Sequence, residues 1–381
     1  MWMWYDSEWL VVSREWVTMI GIALIKIQDV CSMQMQENIS LKAYNTFGID
    51  VNTRYFASFN DIDELEELTT HDLPTGQAGS RLTTLTLGGG SNILFTKNFD
   101  GLVLKNEIKG IQLLHEDESY VYIKAGAGEN WHQFVIYCIE KNWAGVENLS
   151  LIPGCVGASP MQNIGAYGVE LKEVFHSLEA FHLKEQKIKT FTLSDCEFGY
   201  RDSVFKHHYK DQFVILDVTF RLHKRPVFHT SYGAIQQELE KMGVKNLSIK
   251  AISQAVINIR SSKLPDPAKI GNAGSFFKNP TIEKENFKNL KSKFPNIVGY
   301  ENTDGTVKLA AAWLIEQCGP KDFVSWKGFR KGDAGCHEKQ ALVLVNYGNA
   351  SGKDIHVLGE EISRSVKERF DIVLEREVYV I

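Results

Sequence analysis

The segment that most constrains the fold spans residues 151–169 and reads LIPGCVGASPMQNIGAYGV. Four glycines and two prolines in this segment exclude a regular helix, because both residue types destabilise a helix interior. Interspersed apolar residues, including Ile152, Val156, Met161 and Ile164, argue against disorder. The segment is therefore either a connector or a loop whose backbone lines a ligand, and we favour the ligand-lining loop.

Another glycine-rich segment, LTLGGGSNILF, spans residues 85–95; by chain order it is the first glycine-rich loop and residues 151–169 are the second. The glycines of a Rossmann turn open a helix, whereas Ile93, Leu94 and Phe95 are typical of a strand. Adjacent glycines form either a plain tight turn or a nest of backbone N–H groups around a phosphate. Two such loops in one chain indicate a dinucleotide more strongly than either loop alone.

Length and charge limit the classes of partner. A chain of 381 residues is long enough for two or three packed domains. Its formal net charge of −5 and the lack of any long run of like charges argue against nucleic acid as a partner. A local cationic pocket for small phosphates remains compatible with that net charge.

Cysteine usage and the N-terminal residues indicate the compartment. Six cysteines without a CxxC pair are typical of free thiols in a reducing compartment, and they predict no metal site. Arg14, Glu15 and Lys26 interrupt the apolar run between residues 10 and 30, so no membrane span is predicted. The chain start also lacks the features of a secretory signal, and residues 1–36 are interpreted as a leader of uncertain status. We expect a cytoplasmic protein.

Hydrophobic periodicity predicts a mixture of helices and strands. Strands are predicted over residues 82–87, 102–105, 120–125, 213–221, 341–346 and 372–381. Helices are predicted over residues 130–142, 308–318 and 353–370, the last with Ser351 as its N-cap. Residues 71–84 are interpreted as a surface insertion.

Three shorter segments contain polar residues suited to catalysis. In FGYRDSVFK, residues 198–206, Arg201 forms either a structural ion pair or an anion clamp, because its planar fork matches a carboxylate. In GNAGSFFKNP, residues 271–280, Ser275 is either a turn residue or a proton donor, since no GxSxG motif surrounds it. In the terminal IVLEREVYVI, Glu375 and Glu377 share one face, which is either solvated or directed into a cleft.

Taken together and in this order, the segments resemble UDP-N-acetylenolpyruvoylglucosamine reductase of type I. The resemblance covers residues 38–381, and chance agreement over so many ordered strings is negligible. The strings are YNTFGID (44–50), GGGSNILF (88–95), AGAGENWH (125–132), ENLSLIPGCVGASPMQNIGAYGVEL (147–171), FGYRDSVFK (198–206), KLPDP (263–267) and GNAGSFFKNP (271–280).

This resemblance implies an α+β fold with an FAD-binding core of the PCMH, or vanillyl-alcohol-oxidase, type and an α+β substrate-binding domain. The core would comprise subdomains 37–104 and 105–262, the substrate-binding domain would span 263–377, and strand 378–381 would return to the core. The two glycine-rich loops would bind the diphosphate of non-covalent FAD. The implied cofactor-binding residues are Gly88, Gly89, Gly90, Ser91, Asn92, Gly154, Val156, Gly157, Ala158, Ser159, Gln162, Asn163, Ile164 and Gly165.

The resemblance also implies NADPH-dependent reduction of UDP-N-acetylglucosamine enolpyruvate to UDP-N-acetylmuramate through FAD, by a monomer in peptidoglycan precursor synthesis. Arg201 would grip the substrate carboxylate, Ser275 would donate a proton, with Lys263 or a water supporting it, and Glu377 would be the acidic partner. The implied substrate-binding residues are Tyr232, Lys263, Asn279, Tyr300 and Gln340.

One departure and two rival functions qualify that assignment. The family usually has a proline before its catalytic glutamate, where this chain has Arg376, so Glu375 is the second choice after Glu377. The rivals are an alcohol or sugar oxidase of the same fold and a catalytically inactive nucleotide-binding protein. Oxygen-dependent sugar turnover without NADPH would favour the oxidase, and failure to hold FAD would favour the inactive protein.

Overall fold

The computed structural model describes residues 35–70, 82–320 and 323–381, which form an α+β fold. Residues 1–34 of the interpreted leader and residues 71–81 of the interpreted insertion lie outside the described residues. The helices are α1 Ile62–Thr70, α2 Trp131–Glu140, α3 Gly233–Lys241, α4 Ile249–Lys263, α5 Lys284–Lys293, α6 Ala311–Glu316 and α7 Gly352–Phe370. None of the helices in the described ranges is long and apolar enough to cross a bilayer.

The strands are short and belong to several sheets. They are β1 Gln36–Ser40, β2 Asn52–Phe59, β3 Thr83–Leu87, β4 Ile93–Leu94, β5 Phe99–Asn106, β6 Ile111–Glu116, β7 Tyr120–Gly126, β8 Gly165–Ala166, β9 Val169–Glu170, β10 Phe175–His182, β11 Lys187–Thr192, β12 Phe213–His223, β13 Gly271–Ser275, β14 Thr281–Glu283, β15 Gly299–Glu301, β16 Thr306–Leu309, β17 Arg330–Lys331, β18 Ala334–Cys336, β19 Val343–Asn346 and β20 Tyr379–Val380.

The first sheet has the order β1-β2-β5-β3, with β1 antiparallel to β2 and the other neighbours parallel. Both faces of β5 are buried, since Leu102 and Leu104 belong to one apolar cluster and Val103 belongs to another. This burial explains the continuous apolar run in its sequence. Strand β3 ends at Leu87, so the first glycine-rich segment begins at the carboxyl end of a parallel strand.

The second sheet is antiparallel, with the order β11-β10-β12-β7-β6, and helix α2 packs against it. Trp131 and Phe134 on the apolar stripe of α2 are buried, and the Phe134 ring centroid lies 4.6 Å from that of Phe220 in β12. Asn130 caps the helix by accepting a hydrogen bond from the Gln133 N–H. The Trp131 N–H donates to the Gly154 carbonyl at 3.0 Å, which attaches the second glycine-rich loop to the helix start.

Two smaller antiparallel sheets, β13-β19-β18-β17 and β14-β16-β15, build the C-terminal region. The buried stripe of α7 packs in the same apolar cluster as Phe276, Phe277 and residues of the first sheet. After α7 the chain returns to the first part of the protein, where β20 pairs in parallel with β4. The Tyr379 N–H donates to the Asn92 carbonyl at 3.0 Å. The domain boundaries at 104, 262 and 377 stay a prediction.

Most predicted elements are confirmed. Strands β3, β5, β7 and β12 lie where alternation or apolar runs predicted them, and β19 begins at Val343 within the predicted strand. Helices α2 and α7 match their predicted apolar stripes, and the Ser351 hydroxyl accepts from the Asp354 N–H as the predicted N-cap. These elements have strong local patterns, which is why the sequence alone identifies them.

Two predicted elements are wrong in extent. The helix predicted from residue 308 begins only at Ala311, because Lys308 pairs with Tyr300 in the middle of a three-stranded sheet. The strand predicted over residues 372–381 is reduced to β20, because the segment changes partners along its length. Arg376 forms an isolated bridge with Phe277 before Tyr379 joins β4.

Candidate active site

A cavity of about 540 Å³ lies where both large sheets meet the C-terminal region. Its walls are the glycine-rich segment after β3, the loop between α2 and β8, the chain between β11 and β12, strand β13 and the segment leading into β20. This volume is within the range of small-molecule sites, about 300–1,000 Å³. Five distant parts of the sequence thus share one pocket.

The two glycine-rich loops contact each other at this cavity. A Cβ added to Gly89 would lie 2.8 Å from the Gly154 Cα, and Gly90 has a φ of +59° that favours glycine. The Ser91 hydroxyl donates to the Pro153 carbonyl at 3.0 Å, which joins the loops. The loops therefore present closely spaced backbone rather than side chains, as a nest for an anionic diphosphate requires.

Most of the predicted cofactor-binding residues line this cavity. Those in its walls are Gly88, Gly89, Gly90, Ser91, Asn92, Gly157, Ala158, Ser159, Gln162, Ile164 and Gly165. Gly154, Val156 and Asn163 are not part of the lining. Asn163 donates to the Gly199 carbonyl at 2.9 Å and accepts from the Lys172 N–H at 3.0 Å. Its role in the structure is thus to hold the loop against the segment that carries Arg201.

The structure brings together the three residues assigned to catalysis, since Arg201, Ser275 and Glu377 all line the cavity. The Arg201 Nε donates to Glu377 Oε1 at 3.0 Å. The Gln162 amide also donates to Glu377 Oε1, at 3.3 Å, and the Asn92 amide donates to the Glu377 carbonyl at 3.2 Å. Both glycine-rich loops therefore position the terminal glutamate.

Burial and the Arg201 charge have opposite effects on the pKa of Glu377. Burial is the largest influence on Glu377 and raises the pKa of its carboxyl above the ordinary value, while the neighbouring Arg201 charge acts to lower it. Glu375, the alternative glutamate, is exposed and pairs with Lys278 at 2.5 Å. Both glutamates line the cavity, and Glu377 is the more buried of the two, with its side chain 14% exposed against 72% for Glu375.

Ser275 ends strand β13 beside the terminal segment. Gly274 before it has a φ of +72°, and the pairing of β13 with β19 shifts register between Asn272 and Ser275, so the strand is irregular just ahead of the serine. The Glu377 N–H donates to the Phe276 carbonyl at 2.9 Å, so the backbone of Glu377 is bonded to the residue that follows Ser275. A hydroxyl and a buried carboxyl thereby face one cavity.

The five predicted substrate-binding residues lie outside the cavity lining. Tyr232 caps α3 and Tyr300 lies in β15, and both are largely exposed. Lys263 ends α4 with an exposed side chain, Gln340 precedes β19, and the Asn279 side chain accepts from the Ala311 N–H at 3.0 Å. The Tyr232 ring centroid lies 5.4 Å from that of Tyr167, an edge contact between the α3 cap and the end of the second glycine-rich loop.

Sequence reasoning missed Arg260, which also lines the cavity. Its Nε donates to the Leu151 carbonyl at 3.2 Å, and it interacts with the Tyr167 hydroxyl. Burial lowers the pKa of Arg260 from its ordinary value. The available signal was its position one turn from the end of α4, directly after the buried Ile259 of the apolar stripe.

Comparisons with known proteins agree with this architecture. The family model of the FAD binding domain matches residues 78–189, and the model of the UDP-N-acetylenolpyruvoylglucosamine reductase C-terminal domain matches residues 266–381. A crystal structure of UDP-N-acetylenolpyruvylglucosamine reductase from Thermus caldophilus shares the fold, with a TM-score of 0.62. It covers 91% of this chain and 99% of its own at 22% identity.

Two curated relatives are much more similar in sequence. UDP-N-acetylenolpyruvoylglucosamine reductase of Amoebophilus asiaticus is 52% identical over 92% of this chain and 100% of the relative. The protein of the same name from Flavobacterium johnsoniae is 47% identical over 92% of this chain and 100% of its own length.

The fold and the backbone-lined cavity, together with the matched FAD-binding domain, define an FAD-dependent oxidoreductase. At the level of sequence, the chain belongs to the UDP-N-acetylenolpyruvoylglucosamine reductase family. Membership of this family places the enzyme in peptidoglycan precursor synthesis.

Proposed function

We propose that the protein reduces UDP-N-acetylglucosamine enolpyruvate to UDP-N-acetylmuramate, with NADPH as the electron donor and FAD as the carrier. The observation that carries this proposal is the convergence of Arg201, Ser275 and Glu377 on the cavity walled by both glycine-rich loops. NADPH oxidation that depends on the enolpyruvyl sugar tests it directly. Oxygen-dependent turnover of a sugar without NADPH would instead favour an oxidase.

The residues of the cavity fit FAD. Closely packed backbone at Gly89 and Gly154 leaves N–H groups as the natural partners of a diphosphate. Arg260 supplies a buried positive charge on the same cavity, which suits a flavin that becomes anionic when reduced. When bound, FAD supplies the two-electron chemistry, because it accepts a hydride from the nicotinamide and gives one to the substrate.

Arg201 is suited to the enolpyruvyl carboxylate. Hydride addition to one carbon of the double bond leaves negative charge on the other carbon, delocalised into the adjacent carboxylate. The Arg201 Nε donates to Glu377 and its Nη2 donates to the Gly165 carbonyl at 2.5 Å, so the N–H groups left over from these two bonds are the ones available to the developing charge. Hydrogen-bond donors that are already fixed in position stabilise such charge without reorganising, and this accelerates the reaction.

Ser275 is suited to the second step, in which a proton reaches the carbanionic carbon. The serine O–H bond breaks, a C–H bond forms, and the serine must recover its proton afterwards. The overall change consumes NADPH, one proton and the C=C bond, and it releases NADP⁺ and the saturated ether. Glu377 lines the same cavity as Ser275, and burial raises the pKa of its carboxyl, so we assign it the return of a proton to the serine.

Lys263 has a different role here from the one expected. Lys263 was a candidate support for the serine alkoxide, but its side chain is exposed at the end of α4 and lies outside the cavity lining. Its exposed ammonium is better suited to a substrate phosphate. Burial, with a smaller effect of the nearby Tyr300, raises the pKa of the Tyr232 hydroxyl, so the two tyrosines lie on the same side of the protein. They would flank the nucleotide of either substrate.

A further inference from the structure

We infer that Lys206 is a positioning residue for Arg201, whose main chain it holds in the conformation that directs the guanidinium to Glu377. The inference rests on the proposed function, because it assumes that Arg201 contacts the substrate carboxylate. It concerns a lysine to which sequence reasoning gave no role, although it ends the FGYRDSVFK segment.

Arg201 has an unusual backbone conformation. Its φ is +54°, in the left-handed region that residues with a Cβ rarely adopt. Neighbouring contacts hold the flanking residues, since the Gly199 N–H donates to the Asp202 carbonyl at 3.1 Å and the Ser203 hydroxyl donates to the Met161 carbonyl at 2.7 Å. A strained residue persists only where its surroundings impose the conformation.

Lys206 supplies the contact at Arg201 itself. Its Nζ donates to the Arg201 carbonyl at 3.1 Å, and its side chain lines the same cavity. In the described part of the chain, no carboxylate forms an ion pair with Lys206, although the charges of Asp202, Glu375 and Glu377 act on it. The hydrogen-bond acceptor of Lys206 is therefore the backbone carbonyl of a site residue, which is unusual for a half-buried lysine.

The surroundings of Lys206 explain why it is directed to this carbonyl. Burial, with a smaller effect of the Lys278 charge, lowers the pKa of the Lys206 ammonium from its ordinary value. A desolvated ammonium gains from each hydrogen bond that replaces water. The carbonyl of Arg201 provides one, and in return the ammonium holds the peptide that follows the guanidinium-bearing residue.

The test compares Lys206→Met, which keeps the length of the side chain without its donors, with Lys206→Arg, which restores a donor. We expect Lys206→Met to slow reoxidation of the reduced flavin by the enolpyruvyl sugar about 10- to 100-fold, because small misplacements of a catalytic group have effects of this size. Flavin reduction by NADPH should change by less than about threefold, and Lys206→Arg should recover part of the loss. Lys224→Met is the matched control, because Lys224 is also half-buried and its Nζ lies 2.9 Å from Glu116 Oε2, with both residues outside the cavity lining.

A double variant separates positioning from an independent role. If Lys206 acts through Arg201, then Arg201→Lys combined with Lys206→Met should be hardly slower than Arg201→Lys alone. Multiplied effects would overturn the inference, as would unchanged reoxidation in Lys206→Met. Loss of flavin or of folding in Lys206→Met with no recovery in Lys206→Arg would also overturn it, by making the lysine structural. Failure of the unmodified enzyme to be reoxidised would instead contradict the proposed function.

Discussion

The Arg201 Nε donates a hydrogen bond to Glu377 Oε1 at 3.0 Å, although 176 residues separate them in the chain. This pair exists because β20 returns to β4, so the last residues of the C-terminal region cross the cavity that the first part of the protein builds. The local sequence around either residue does not predict that the two side chains meet. The pair joins the part of the protein that carries the cofactor loops to the part that carries Ser275.

Removal of the Ser275 hydroxyl should separate the two half-reactions. In Ser275→Ala, NADPH should still reduce the flavin at a near-normal rate, because that step needs no proton from the serine. Reoxidation by the enolpyruvyl sugar should fall by about 10²- to 10⁴-fold, the usual range for loss of a general acid. Single-turnover flavin absorbance measures both rates, and equal loss of both would remove Ser275 from the proton-donor role.

Replacement of Arg201 by lysine should keep the charge and lose the planar fork. We expect kcat/KM for the enolpyruvyl sugar to fall about 10- to 100-fold, because the hydrogen bonds of a charged donor contribute about 1.5–3 kcal/mol each. Steady-state kinetics with NADPH in excess would give this value. Near-normal turnover in Arg201→Lys would show that the guanidinium does not bind the carboxylate.

The two terminal glutamates should differ sharply in their effect. Glu377→Gln keeps the size of the side chain but loses the titratable group that shares the cavity with Ser275, and we expect about 100-fold slower reoxidation. Glu375→Gln should cost little, because Glu375 is exposed and a surface ion pair contributes about 1 kcal/mol or less. The reverse ranking in single-turnover assays would transfer the acidic role to Glu375.

A methyl group at Gly89 should impair cofactor binding. The added Cβ would lie 2.8 Å from the Gly154 Cα, so Gly89→Ala must push the two glycine-rich loops apart. We expect purified Gly89→Ala to retain less than about a tenth of the flavin of the parent protein. Gly233→Ala is the control, since nothing lies within 4 Å of its added Cβ. Full flavin occupancy in Gly89→Ala would mean that the loops do not enclose the diphosphate.

A buried ion cluster in the second sheet should make stability depend on pH. The Lys124 Nζ lies 2.8 Å from Asp217 Oδ2 and 2.6 Å from Glu179 Oε2, and burial raises the pKa of Asp217 to about 6 from its ordinary 3.8. The folded state thus binds this proton more tightly than the unfolded state does, so the Asp217 contribution to stability falls as pH rises from about 4 to about 6.

Asp217→Asn should remove the pH-dependent contribution of Asp217 to folding stability. The difference between the folded and ordinary pKa values of Asp217 limits this contribution to about 3 kcal/mol. Its thermal unfolding midpoint should therefore decline less than that of the parent protein between about pH 4 and pH 6. Differential scanning calorimetry at a series of pH values provides the comparison. Parallel curves for the two proteins would contradict the titration of Asp217 in this range.

Local pattern explains what the sequence predicted well. Helix α7 was predicted with its N-cap because Ser351 and the apolar stripe of the helix lie within a few turns of each other. Arg260 and the role of Asn163 were missed because each depends on a contact with a residue far away in the chain. The same limit explains β20, whose length is set by its partner β4 rather than by its own alternating pattern.

The central claim, two half-reactions at one flavin site, is tested most directly by anaerobic stopped-flow absorbance of the purified, flavin-containing protein. NADPH should bleach the flavin band, and UDP-N-acetylglucosamine enolpyruvate added afterwards should restore it, with formation of UDP-N-acetylmuramate. Bleaching that the enolpyruvyl sugar cannot reverse would contradict the proposed substrate. A folded protein that binds no flavin would contradict the assignment of the cavity.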